Sequence, residues 1–62
     1  MRVKYYIPTT DEQGPCTIIG TSSAMETAEE NALWDYNDRR AHDGQLPLEE
    51  LPRGTTYLVL ED

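Results

Sequence analysis

Cysteine and histidine occur once each in this chain, as Cys16 and His42. An intrachain disulfide is therefore impossible, and a four-ligand zinc site lacks the thiols and imidazoles to form. A lone thiol also fits a reducing cytosol better than an oxidising compartment. Long apolar runs are missing too, and nothing approaches the roughly 20 residues that a membrane helix needs. The opening MRVKYYIPTT holds neither an apolar stretch nor a small-residue cleavage site, so no signal peptide is expected. Glycine-rich phosphate loops, basic aromatic patches, internal repeats and low-complexity tracts are likewise missing. These absences lead us to expect a soluble, cytoplasmic chain, complete from a start Met1 to a charged end at Asp62, without metal, cofactor or membrane. They also argue against an enzyme. Cys16 and His42 would have to meet beside a pocket to act as nucleophile and base, and Cys16 reads more simply as a small apolar side chain.

What is present is acid. The net charge is −7 over 62 residues, and it is unevenly spread. Residues 1–22 balance Arg2 and Lys4 against Asp11 and Glu12. Residues 23–43 set six acids (Glu26, Glu29, Glu30, Asp35, Asp38, Asp43) against Arg39 and Arg40, and the remainder sets Glu49, Glu50, Glu61 and Asp62 against Arg53. Such a field repels phosphate backbones and draws in basic surfaces, so direct DNA or RNA binding is not expected. The length allows one domain, 1–62, which at this size buries only about 60% of its unfolded surface. With disulfides and metals excluded, tight packing, self-association or a partner must supply the rest of its stability.

One segment organises the others. Met25 to His42 reads as an acidic amphipathic helix with its own start and stop. Ser23 followed by Glu26 has capping-box spacing, Arg39, Arg40 and His42 complement the C-terminal dipole, and Gly44 supplies the stop. At 100° per residue Met25, Ala28, Ala32 and Tyr36 fall in one narrow arc with Leu33 at its margin, which makes them the face turned to the core. His42 is accounted for as the cation at the helix end. Asp38, His42 and Asp43 have no recognised metal-ligand spacing.

Strands fill the rest. Val3 to Ile7 is rich in β-branched and aromatic residues and is expected to end at Pro8. Thr9 to Pro15 is turn chemistry, and Cys16 to Thr21 completes a hairpin with a long loop. After the helix, Pro47 is placed to open one helical turn carrying Leu48 and Leu51, and Thr55 to Leu60 is the most β-prone stretch. The fold class is therefore α+β, in the order β-β-α-β. A crossover through the helix makes the third strand parallel to the second, with the first between them, for a spatial order of 2-1-3. One face of the sheet stays uncovered, and it would carry Lys4, Tyr6, one of Ile18 or Ile19, and alternate residues of Tyr57 to Leu60.

Trp34 lies about 160° around the helix from Tyr36 by the same count, so it points away from the core. Glu30, Trp34 and Asp38 share a row at i, i+4 and i+8, with Glu26, Asn37 and Ala41 alongside. An outward tryptophan ringed by carboxylates has the make-up of an interface anchor steered toward a basic partner. Two alternatives stay open: residues 46–52 fold back over the indole as a satellite core, or Arg39 and Arg40 neutralise Asp35 and Asp38.

The join from Thr21 to Glu26, with alanines at 28 and 32, resembles the partial double-stranded-RNA-binding-type layout of HicB-like antitoxins. The short, acidic, single-helix chain is also similar in layout to small phage-encoded inhibitors, among them anti-CRISPR proteins and inhibitors of host RNA polymerase. The likeness covers most of the chain as topology and carries over no site residue. It implies stoichiometric blocking of a larger host protein, bare or in a nucleoprotein complex. The expected partner site is Trp34, Glu26, Glu30, Asp35, Asp38 and Asn37. An antitoxin-like or homodimeric module, paired through an edge strand or the uncovered face at Tyr6 and Tyr57 or Leu58, is the alternative.

Overall fold

A computed structural model describes residues 2–60. The elements are β1 (Arg2–Asp11), β2 (Gly14–Ser22), α1 (Met25–His42) and β3 (Thr56–Leu60). The strands form one sheet in the order β2-β1-β3, with β1 antiparallel to both neighbours. The expected α+β layout and 2-1-3 order are thus observed, and the helix bounds agree with the sequence reading.

Pro8 does not end β1. Pairing with β2 continues to Asp11↔Gly14, whereas pairing with β3 stops at Tyr6↔Thr56. Beyond Tyr6, β1 has a neighbour on one side only, and a proline without an N–H is tolerated on such an edge. The expected long loop accordingly shrinks to Glu12 and Gln13. Asp11 Oδ1 accepts the Gln13 N–H at 2.8 Å, and Gly14 adopts φ 115°, a conformation that side chains disfavour.

Strand pairing assigns the faces, because residues directly opposite one another project to the same side. Val3, Tyr5 and Ile7 face Ser22, Gly20 and Ile18 across one ladder; Val3 and Tyr5 face Val59 and Tyr57 across the other. All of these turn toward α1. Val3, Tyr5, Ile7, Ala28, Ala32 and Tyr36 are the buried apolar residues. The alanines let α1 lie close on β1 and β2, while β3 has little contact with it. Three of the four predicted arc residues are buried; Met25, the fourth, is 38% exposed. Of Tyr57 and Leu58, the two residues offered for the uncovered face, Tyr57 packs on the core and Leu58 takes the open side. Ile19, not Ile18, lies on that open face beside Lys4, Tyr6 and Leu58.

The capping box does not form. Ala24 is the N-cap, without a side-chain hydrogen bond to the first turn. The serine that reaches the helix is Ser22, because its pairing with Val3 turns it inward. Its Oγ shares a 2.6 Å hydrogen bond with Thr27 Oγ1 and accepts one from Asn31 Nδ2 at 3.0 Å, tying the end of β2 to the flank of α1. At the other end the predicted stop is present: Gly44 sits at φ 76°. Its N–H donates to the Ala41 carbonyl at 3.0 Å, and the Gln45 N–H donates to that of Arg40 at 2.7 Å, the paired bonds of a Schellman cap. Residues 45–55 contain no helical turn, so Pro47 opens none.

Candidate protein-docking site

The helix carries Trp34 out into solvent, where it is 64% exposed. Glu26, Glu30 and Asp38 are exposed on the same side, and among the described residues none of the three has an ion-pair partner. The helix arginines are occupied elsewhere. Arg39 pairs with Asp11 at 3.3 Å and with Asp43 at 3.9 Å. Arg40 Nε donates to the Leu46 carbonyl at 2.7 Å, with the guanidinium 5.8 Å from the centre of the Tyr36 ring. Neutralisation of the carboxylates by Arg39 and Arg40 is therefore not observed.

The segment after the helix does not seal the indole. It is pinned to the adjacent flank of α1 by Asn37, whose Nδ2 donates to the Leu48 carbonyl while Oδ1 accepts the Leu48 N–H, both at 2.9 Å. This is a side-chain amide acting as a strand-like backbone partner. Leu51 turns inward against the core, while Leu46 and Leu48 stay exposed. The segment Asn37 holds leaves Leu46 and Leu48 open to solvent, on the flank of α1 next to Tyr36 and Arg40. Sequence reading missed that role, although the leucines flanking Pro47 were its signal. Changing Asn37 to Ala removes both bonds and should cost about 1–2 kcal/mol. Hydrogen exchange at the Leu48 amide should accelerate; unchanged exchange there would mean that other contacts hold the segment.

Asp35 and Asn37 are thus only partly available to a partner. Asp35 accepts a hydrogen bond from the Tyr5 hydroxyl, which reaches it from the buried side of the sheet. A Cβ at Gly20 would fall inside that hydroxyl and Cζ, and 2.7 Å from Cε1. The missing side chain at position 20 is therefore the passage through which Tyr5 reaches Asp35. Burial first, then the bond and the charge of Asp35, push the phenol up from its ordinary 10.0 to about 12.

The thiol of Cys16 is pushed up, by partial burial first and then by Asp11, the reverse of what a nucleophile needs. A shallow hollow beside His42 is lined by Ile18, Asp35, Asp38 and Arg39, without Cys16. Among the described residues no three His, Cys, Asp or Glu side chains converge as a metal site. No described helix is long and apolar enough to cross a membrane. Comparison of the chain with protein-family models, curated proteins and solved structures finds no match.

Proposed function

We propose that this chain is a non-enzymatic, acidic protein-binding module that acts in the cytoplasm by covering a basic, nucleic-acid-binding surface of a larger protein, as phage-type inhibitors do. The supporting observation is Trp34, 64% exposed between the unpaired carboxylates of Glu30 and Asp38. A rigid aromatic at the centre of a charged rim supplies slow dissociation, and the rim supplies fast, salt-sensitive encounter. Glu26, Glu30 and Asp38 stand in for phosphates, with Asp35 a weaker contributor because Tyr5 already holds it.

The test is recovery of a partner from host lysate at low and high salt, with wild type, Trp34→Ala and the pair Glu30→Gln with Asp38→Asn. Trp34→Ala should change folding stability by no more than about 0.5 kcal/mol yet weaken a recovered complex by at least about 2 kcal/mol, close to 30-fold. The charge pair should remove most of the salt dependence, and nucleic acid should compete. A partner held equally well by Trp34→Ala, or a Trp34→Ala chain that no longer folds, would remove Trp34 from the site.

A further inference from the structure

We infer that the outer edge of β3 is a self-association surface, pairing antiparallel with β3 of a second copy to join two three-stranded sheets into one. Four observations converge on it. The first is the composition of that edge among the described residues. Outer strands are normally protected by charge, proline or a bulge, and β2, the other outer strand, carries Pro15 and Gly20. The segment Thr55 to Leu60 has no charged residue, no proline and no glycine.

The second is how α1 sits. It lies over β1 and β2, so β3 is apolar and half-open on both sides at once: Val59 on the helix side is 50% exposed and Leu58 on the other is 49% exposed. Strand pairing would cover both residues together, which a partner docked on one face would not. The third is charge. A chain of net charge −7 meets its own copy only where it carries none, and β3 is such a place. The fourth is the core, whose fully buried larger side chains are Ile7 and Val3; domains this small commonly need oligomerisation to be stable.

An antiparallel pair of identical strands has two-fold symmetry, so the assembly closes at two copies and does not grow into a fibre. It leaves Trp34, on the solvent side of α1, free in both copies, and it is independent of the docking function proposed above.

Sedimentation equilibrium over micromolar concentrations tests it on wild type, Val59→Lys, Ile19→Lys and Trp34→Ala. The expected result is a species of twice the 7.1 kDa chain mass. Val59→Lys should raise the dissociation midpoint by at least about tenfold, with Ile19→Lys and Trp34→Ala unchanged. Should Val59→Lys fail to fold, hydrogen exchange of wild type serves instead: amides of β3 must slow with rising protein concentration while those of β2 do not. A wild type that stays at 7.1 kDa throughout overturns the inference. So does a dimer lost in Ile19→Lys and kept in Val59→Lys, because that places the contact on the open face.

Discussion

Gly20→Ala should unfold this protein more readily than any conservative surface change, lowering the melting temperature by about 10–20 °C. The reason is local. Gly20 faces Tyr5 directly across the β1–β2 ladder, and the Tyr5 ring end lies where a Cβ would be. Tyr5 is only 2% exposed, so it has no solvent side to retreat to. Either the ring leaves its rotamer and gives up Asp35, or β1 and β2 separate. Overpacking of this kind costs about 1–3 kcal/mol, and the lost hydrogen bond to a carboxylate adds about 1 kcal/mol more. In so small a domain each kcal/mol moves the midpoint by about 4–8 °C. Tyr5→Phe should not rescue the variant, because the ring carbon Cζ still collides. Tyr5→Leu, which removes the ring end, should make Gly20→Ala nearly harmless, giving a coupling above about 1 kcal/mol in a double-mutant cycle. Independent, additive losses would show that the two positions do not touch.

The second large effect is alkaline. The Tyr5 phenol is raised from 10.0 to about 12 in the folded chain, by burial first and by Asp35 after it. A raised pKa means that the folded state keeps its proton longer than the unfolded state does. The associated stability is therefore complete below pH 10 and drains away between pH 10 and 12, as the unfolded chain ionises first. In a domain with so small a reserve of stability the loss is expected to be readily measurable. Tyr57, raised by burial and then by Glu29, contributes in the same direction. Urea midpoints at pH 8, 10 and 11 should fall steeply for wild type and more gently for Tyr5→Phe, which starts lower for want of the Asp35 bond. Equal alkaline losses in the two proteins would assign the effect to other groups.

Both effects centre on Tyr5, held between Gly20 across the ladder and Asp35, 30 positions away on the helix, and sequence reading did not anticipate that unit. Gly20 was read only as part of the second strand, and Asp35 as one of the acids offered to a partner. Only the register that sets Tyr5 against Gly20, with α1 laid across the top, turns them into one unit. The same is true at the start of the helix. Ser23 and Glu26 have capping-box spacing, yet the alternation of β2 turns Ser22 inward, and Thr27 and Asn31 bind it there. Pro8 misled for a related reason, because whether a proline interrupts a sheet depends on whether a third strand is still alongside.

Other features were legible because their physics is local. The bounds of α1, the buried arc of Ala28, Ala32 and Tyr36, the glycine stop at Gly44 and the outward aim of Trp34 follow from 3.6-residue periodicity and backbone sterics, which the chain carries wherever it is folded. The 2-1-3 order followed from connection rules applied to three apolar segments of unequal strength. Which acids stay unpaired, where the leucines after Pro47 come to rest and which edge of the sheet is left bare were decided by tertiary packing. Arg39 found Asp11 on the hairpin, Asn37 found the backbone of Leu48, and α1 settled over β1 and β2 and left β3 open. Each of those outcomes is a competition between partners distant in the chain, and such a competition has no result until the chain has folded.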